Sequence, residues 1–185
     1  MITEAFDNKS PAIINPQMRE DAPRVDACIL TFSHVIEKFV LENYDCRQIA
    51  SFWFATGNTP IYCIDYRGKK FAFYKTYVGA PACVGTVEDT LAEIKTDKYI
   101  VFGGAGCLNK EIAQADGCIS VEMECAALQA MCDFRGLNLY TFFTSGDLLD
   151  APKWDTRRKE GQTKGTQHDV GHFDIALELA RYVVG

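Results

Sequence analysis

The sequence predicts a single α/β domain with a mixed, mostly parallel sheet that is flanked by helices on both faces. Short, β-branched apolar segments typical of buried strands alternate along the chain with segments of helical periodicity. One pair of strands is separated only by a short polar turn, which indicates some antiparallel pairing. With 185 residues, of which 48% are hydrophobic, the chain has the length for one sizeable core.

The first half of the chain contains signals for a strand, a helix and a hairpin. Residues 25–32 (VDACILTF) form an apolar, β-branched run that predicts a buried strand. Ser33 follows as a good N-cap, so we expect a helix over residues 34–43. Residues 61–65 and 70–74 flank a polar insert that contains a glycine, and this pattern predicts a β-hairpin.

The middle of the chain is predicted to form a helix over residues 87–94 and a strand over residues 98–102. This strand leads into residues 103–106 (GGAG), where we expect a turn at which the backbone can approach a ligand closely. The spacing of these glycines matches neither the P-loop nor the dinucleotide-binding pattern, so a purely structural turn is the alternative.

The last third of the chain is predicted to form a helix, a strand and a final helix. Residues 123–134 have apolar side chains at intervals of three and four, and Gly136 supplies a C-terminal stop for this buried helix. Residues 139–144 (LYTFFT) read as a strand that ends at the polar residues 145–147. An amphipathic helix over residues 170–183 completes the domain.

The composition excludes several classes of function. The net charge is −6, and no run of lysine or arginine is long enough to follow a nucleic-acid backbone. No segment approaches the roughly 18 apolar residues of a membrane span. Eight cysteines without a C-x-x-C pair indicate the reduced core thiols of a cytoplasmic protein. His168 and His172 are four residues apart but have no third ligand nearby, so we expect no metal and no cofactor.

The start of the helix predicted at residue 123 is the strongest candidate for a functional site. Glu122, Met123 and Glu124 place two carboxylates and a thioether at the opening of an otherwise apolar helix. Helix N-termini stabilise anions, so the glutamates are either helix caps or part of a binding site. Ligands of α/β sheets bind at the carboxyl ends of strands, where residues 103–106 and Asp147 are also expected. By itself, an aspartate after a strand is more often a turn former or a helix cap than a catalytic acid.

The motifs and their order resemble those of the nucleoside phosphorylase family of purine and uridine phosphorylases. A glycine turn after a strand, the sequence VEMECAAL at a helix start and a strand that runs into TSGDLLD follow one another as in that family. Residues 77–81 (YVGAP) look like the family's Gly-x-Gly/Pro segment. The resemblance extends from about Ala12 to the C-terminus and implies a nucleoside phosphorylase-like fold for one domain over residues 1–185.

The resemblance implies a role for each candidate residue. Glu124 would hold the ribose hydroxyls, Met123 would pack on the sugar, and Glu122 matches the first glutamate of the family's motif. Asp147 would protonate the base of a purine nucleoside at N7. The residues that would line the phosphate and base pockets are Gly104, Ala105 and Gly106.

These implied roles suit the cleavage of an N-glycosidic bond. The sugar gains oxocarbenium character and the departing base gains negative charge, so a catalyst needs a carboxylate near the ribose and a proton for the base. The resemblance implies a pentosyltransferase that uses inorganic phosphate to convert nucleosides into free base and sugar 1-phosphate, with purines slightly preferred over uridine. It also implies a homo-oligomer, a dimer or a hexamer, because family members complete their sites with residues of a neighbouring subunit.

The sequence departs from the family at the expected phosphate site. Phosphorolytic members carry an arginine shortly before the glycine turn and a serine or threonine within it, whereas this chain has Val101 and Gly104 there. The missing positive charge could come from Arg19, Arg24 or Arg47. The first alternative is therefore a nucleosidase of the methylthioadenosine/adenosylhomocysteine type, which uses water in place of phosphate.

A second departure is an apparent deletion. The family has a strand, a long loop and a helix between the glycine turn and the Glu-Met-Glu motif, where this chain has only residues 107–120. Either the chain is a degenerate, non-catalytic nucleoside-binding homologue, or the sequence lacks a segment between about residues 110 and 116. We expect an omitted segment, because true loss of the strand and helix would expose a large apolar face.

Overall fold

The computed structural model describes residues 10–108, 117–149 and 170–185, and these ranges contain seven strands and four helices. The strands are β1 (Ala27–Thr31), β2 (Cys46–Phe54), β3 (Gly57–Tyr66), β4 (Lys69–Lys75), β5 (Lys98–Cys107), β6 (Ser120–Val121) and β7 (Asn138–Leu148). The helices are α1 (His34–Asn43), α2 (Ala80–Glu93), α3 (Cys125–Arg135) and α4 (Gly171–Val184).

The seven strands belong to one sheet in the order β2-β3-β4-β1-β5-β7, and the short β6 pairs with the end of β5. The pairings of β1 with β4, of β1 with β5 and of β5 with β7 are parallel. Strand β3 is antiparallel to β2 and β4, and β6 is antiparallel to β5. Five of the seven strands therefore run in the same direction, which confirms the predicted α/β class with a mixed, mostly parallel sheet.

Helices cover both faces of the sheet, as predicted. On one face, Cys28 and Leu30 of β1 belong to a core that α2 and α3 enclose. On the other face, Ala27 and Ile29 of the same strand belong to a core that α1 and α4 enclose. A strand that is buried on both faces reads as a continuous apolar run, which is why residues 25–32 were recognisable from the sequence.

Helix α1 and the β3–β4 hairpin confirm the corresponding predictions. The Ser33 hydroxyl accepts a hydrogen bond from the Ile36 N–H at 3.3 Å, as expected of the N-cap of α1. The hairpin turn consists of Arg67 and Gly68, both with positive φ. Two such residues match the right-handed twist of the paired strands, so the hairpin closes with a short loop.

Strand β2 is absent from the prediction, and helix α2 is longer than predicted. A bulge between Gln48 and Ala50 interrupts the alternation along β2, which removes the pattern that identifies a strand. Helix α2 begins at Ala80 and not at residue 87, with Gly79 as N-cap and a proline in the first turn. Proline is tolerated in the first turn because the N–H it lacks would have no partner within the helix.

The turn predicted at residues 103–106 and the strand end predicted at residues 145–147 are both wrong, because both segments are strand. Strand β5 continues to Cys107 and β7 to Leu148. None of the glycines in residues 103–106 has a positive φ, and β7 pairs along this stretch. Glycine is a turn signal in sequence, but within a strand it marks a bulge or a close approach of another part of the chain.

The segment omission expected between about residues 110 and 116 lies outside the described residues, and so does His168. Among the helices of the described ranges, none combines the length and the apolarity that crossing a bilayer would require.

Phe173 provides a test of how α4 is packed on the sheet. The ring is fully buried, and its centroid lies 5.2, 5.1 and 6.5 Å from those of Tyr44, Phe73 and Phe102. Phe173→Ala should lower the free energy of unfolding by about 3–5 kcal/mol, since it leaves a cavity. The matched change Phe134→Ala, at a helix position that is 47% exposed, should cost less than about 1 kcal/mol. Urea denaturation measures both, and equal losses would contradict the packing of α4.

Candidate functional site

The candidate site lies at the edge of the sheet where β1, β4, β5 and β7 have their carboxyl ends, which we call the carboxyl edge. Helices α1 and α2 begin at this edge, directly after β1 and β4. The start of α3 lies there too, because β6 pairs with the last residues of β5 and Glu122 follows β6. Ligands of α/β proteins commonly bind at such an edge, where helix N-termini and strand ends converge.

The predicted site residues approach the end of β5 from both sides. Val121 of β6 pairs with Gly106, so Glu122 and the residues after it lie on one side of β5. Strand β7 lies on the other side and carries Asp147 at the same level. Neighbouring strands are about 4.8 Å apart, so β6 and β7 are separated by about 10 Å across β5.

A bulge in β7 coincides with Asp147. The register between β5 and β7 shifts near their ends, so that Gly146 and Asp147 together lie opposite Gly106. A bulge changes the direction of the side chains that follow it and is common beside functional sites. Asp147 is partly buried at this position. A Cβ atom at Gly106 would lie 2.6 Å from Cδ1 of Leu149, which explains why the opposing strand has a glycine here.

Glu122 caps helix α3. Its Oε2 accepts hydrogen bonds from the N–H groups of Glu124 at 2.8 Å and of Cys125 at 2.7 Å. The first N–H groups of a helix have no acceptor within the helix, and Glu122 supplies one for two of them. The helix dipole also stabilises negative charge at this end. Glu122 is therefore a cap of α3, and its predicted contact with the substrate stays a prediction. Helix α3 begins at Cys125 and not at Met123 as predicted, because Met123 lies in the turn that this cap organises.

Glu124 makes a contact of a different kind. The residue is only 7% exposed, and its Oε1 accepts a hydrogen bond from the Gly79 N–H at 2.7 Å. Gly79 is the N-cap of α2 and has φ +98, a conformation that favours glycine. The side chain of Glu124 makes no cap hydrogen bond to its own helix. The carboxylate instead joins the N-terminus of α2 to the start of α3.

The second carboxylate oxygen of Glu124 is not engaged in a hydrogen bond within the described residues. Oε2 makes no hydrogen bond to any part of the chain that the structure describes. Within that same part, every fully buried side-chain nitrogen or oxygen has a partner, so Oε2 must retain contact with solvent. A carboxylate held through one oxygen and free at the other is suited to accept hydrogen bonds from a bound hydroxyl.

The remaining predicted residues differ in their accessibility. Met123 is 65% exposed next to Glu124, so its thioether is available to a ligand. Gly104 is exposed as well, whereas the side chain of Ala105 is buried. The side chain of Leu149 packs against Gly106. Of the three residues predicted to line a pocket, Gly104 thus offers the most open backbone.

The three arginines considered for a phosphate site lie at the opposite edge of the sheet. Arg24 precedes β1, and Arg47 is the second residue of β2, whose direction is that of β1. Arg19 donates hydrogen bonds to Asp21 and to Glu93, the last residue of α2. Because α2 begins at the carboxyl edge, its last residue is remote from that edge. None of the three arginines brings charge to the candidate site.

Lys75 is a possible cationic group that the sequence did not single out. It is the only lysine or arginine that the structure describes at the carboxyl end of a strand. Its Nζ lies 4.8 Å from the ring centroid of Tyr77. Burial raises the pKa of the nearby Glu37 carboxyl, an effect that the charges of Lys75 and His34 partly offset. The sequence feature that could have identified Lys75 is its position as a charged residue at the end of a buried apolar strand.

Cys83 and Cys125 are not activated thiols, and the described ranges contain no metal site. All eight cysteines are free thiols. Burial raises the pKa of Cys83 to about 11, and burial together with the Glu122 carboxylate raises the pKa of Cys125 to about 12. Such thiols stay protonated and are poor nucleophiles. No group of three or more histidine, cysteine or acidic side chains within those ranges is arranged to hold a metal ion.

Comparison with known proteins adds no assignment: no protein-family model matches the chain, and no curated protein matches it in sequence.

The cap that Glu122 forms can be tested by its contribution to stability. Glu122→Ala should lower the free energy of unfolding by about 1 kcal/mol, because two N–H groups at the start of α3 lose their acceptor. Glu122→Gln keeps an acceptor oxygen and should cost less than half as much. Glu42→Ala removes an exposed glutamate whose nearest cation, Lys38, lies 3.8 Å away, and should be nearly neutral. Wild-type stability of Glu122→Ala in chemical denaturation would show that α3 does not depend on this cap.

Proposed function

We propose that the protein is a nucleoside phosphorylase, a pentosyltransferase that cleaves the N-glycosidic bond at the carboxyl edge with inorganic phosphate as the acceptor. The observation that carries this proposal is the environment of Glu124, which is buried and accepts a hydrogen bond from the Gly79 N–H, while its Oε2 has no hydrogen bond within the described residues. This residue occupies the position of the ribose-binding glutamate in the family that the chain resembles. The absence of a nucleic-acid-binding stripe fits a small-molecule substrate.

The sugar would bind on the Glu124 side of β5. Oε2 of Glu124 would accept hydrogen bonds from the ribose hydroxyls while Oε1 stays bound to Gly79. As the bond to the base lengthens, positive charge develops on the sugar, and a nearby fixed carboxylate stabilises it more than it stabilises the ground state. The exposed thioether of Met123 is positioned next to Glu124 and would cover the apolar face of the sugar.

The base would bind on the Asp147 side of β5. A separation of about 10 Å between β6 and β7 leaves room for a sugar and base to lie across the end of β5. Asp147 would donate a proton to N7 of a purine, so that the departing base leaves without a full negative charge. Because pyrimidines have no N7, this role supports a preference for purine nucleosides.

A second candidate, hydrolysis by a nucleosidase, is supported by the distribution of positive charge. Phosphate requires N–H donors and cations, and the arginines considered for that purpose lie at the opposite edge. Lys75 would be the cation at the carboxyl edge if phosphate is the nucleophile. Water as the nucleophile needs no cation, so phosphorolysis would require Lys75 and hydrolysis would not.

Assembly into a homo-oligomer is also part of the proposal. Several apolar side chains near the carboxyl edge are exposed, and a neighbouring subunit would cover them. These residues are Val78, Ile119, Val121 and Leu149.

Product analysis tests the function directly. Inosine, adenosine and uridine are incubated with the protein with and without phosphate, and the free base and sugar products are identified. A phosphorylase releases base and sugar 1-phosphate only when phosphate is present, whereas a nucleosidase releases base and free sugar in either case. Nucleoside binding without any product would identify a non-catalytic homologue and contradict the proposed activity.

If Glu124 holds the ribose, replacing it should lower the activity and leave the stability of the fold nearly unchanged. Glu124→Gln should lower kcat/KM for inosine on the order of a hundredfold, because a neutral amide no longer stabilises the developing sugar cation. The free energy of unfolding should change by less than about 1 kcal/mol, since the amide oxygen can still accept from Gly79. Glu178→Gln, at an exposed carboxylate that binds Tyr66 and Arg67 near the hairpin turn, is the matched control for activity. Activity within a few-fold of wild type would show that Glu124 does not serve the ribose.

If Asp147 protonates N7, the loss of activity on replacing it should depend on which base the nucleoside carries. Asp147→Asn should reduce kcat for inosine by about a hundredfold or more, because an asparagine cannot give a proton to N7. Turnover of uridine, whose base has no N7, should fall far less. Steady-state kinetics on both substrates makes the comparison, and equal losses would mean that Asp147 shapes the bulge in β7 and does not act on the base.

A further inference from the structure

A pair of buried hydroxyl groups links the end of β4 to α2, close to the Gly79 N–H. Thr76 directly follows β4, and Thr86 lies in α2; both are almost completely buried. Their Oγ1 atoms are 2.7 Å apart. Thr86 Oγ1 also donates to the Cys83 carbonyl at 2.8 Å, which uses its single proton. Thr76 is therefore the donor in the hydroxyl pair.

The two threonines lie on either side of the turn that contains Gly79. On one side, the Thr76 N–H donates to the Thr31 carbonyl at 2.8 Å, which ties the end of β4 to the end of β1. On the other side, the Cys83 N–H donates to the Gly79 carbonyl at 3.0 Å as the first bond of α2. The Thr86 bond to the Cys83 carbonyl continues this chain of contacts from α2 back to Gly79.

We propose that Thr76 and Thr86 are positioning residues, which hold the Gly79 N–H and through it the Glu124 carboxylate in the orientation that receives the ribose. This inference rests on the proposed function, because it deepens the role of Glu124 in nucleoside cleavage. Without the hydroxyl pair, the first turn of α2 can shift relative to β4 while Gly79 remains the N-cap. A shift of the Gly79 N–H then turns the carboxylate of Glu124, even though neither threonine touches the substrate.

The neighbouring Thr90 provides a matched control one turn later in α2. Its Oγ1 donates to the Val87 carbonyl at 2.7 Å and lies 3.1 Å from the Tyr99 hydroxyl, and the residue is fully buried. Thr90 thus has the same chemistry and burial as Thr86, but its contacts lead to β5 and not to Gly79. Thr90→Val leaves the Tyr99 hydroxyl without this partner, whereas Thr86→Val removes the acceptor of both the Thr76 and the Tyr74 hydroxyls. Both changes should therefore lower stability, and Thr86→Val should lower it more.

The experiment measures the Gly79 amide and the kinetics in the same variants. In wild-type protein, the Gly79 amide proton should have a low-field NMR shift that Glu124→Gln moves upfield, because a charge-assisted bond is replaced by a neutral one. Thr86→Val should move the same resonance and lower kcat/KM for inosine by about tenfold to a hundredfold. Thr86→Ser should restore both, because it keeps the hydroxyl. Thr90→Val should lower the melting temperature but leave the Gly79 resonance and kcat/KM unchanged.

Each outcome supports or overturns the proposal. An unchanged Gly79 resonance in Thr86→Val, an equal change in Thr90→Val, or a failure of Thr86→Ser to restore it would overturn it. The proposal would also be overturned if Thr86→Val moved the Gly79 resonance but left kcat/KM unchanged. If the wild-type protein does not turn over any nucleoside, the proposed function fails, and the NMR comparison still decides whether the hydroxyl pair controls the contact between Gly79 and Glu124.

Discussion

The hydrogen bond from the Gly79 N–H to Glu124 is the interaction on which the candidate site depends. It joins the N-termini of α2 and α3, which pack on the same face of the sheet. The charge of a nearly buried carboxylate would be costly without donors, and here the Gly79 N–H at the N-cap of α2 supplies one. The bond uses one oxygen, and the other makes no hydrogen bond within the described residues, which is why it is the atom proposed to receive the ribose.

Glu122 and Glu124 make different contacts because they occupy different positions relative to α3. Glu122 lies before the turn and can reach back to the orphan N–H groups of Glu124 and Cys125. Glu124 is itself the N-cap residue, and its side chain points to the neighbouring helix. The cap formed by Glu122 fixes the backbone of Glu124, so the helix cap also helps to position the carboxylate that is proposed to bind the ribose.

Local signals in the sequence were sufficient for several elements and insufficient for the site. Ser33 and the residues after it defined α1, because a cap and its helix are adjacent in the chain. Residues 103–106 were misread as a turn, because the strands that pair with them come later in the sequence and their partners cannot be seen locally. The bond between Gly79 and Glu124 spans 45 residues, so no local pattern encodes it. Likewise, only the topology shows that Arg24 and Arg47 lie away from the carboxyl edge.

A crystal structure of the Asp147→Asn variant with inosine is the most direct test of where the nucleoside binds, since slow turnover preserves the substrate. We expect the ribose hydroxyls within about 2.5–3.0 Å of Oε2 of Glu124. The base should lie across the end of β5 toward residue 147, and the bond between Gly79 and Oε1 should be retained. A nucleoside bound elsewhere, such as in the groove beside Trp53 and Asp89 at the C-terminal end of α2, would contradict the assignment of the carboxyl edge as the site.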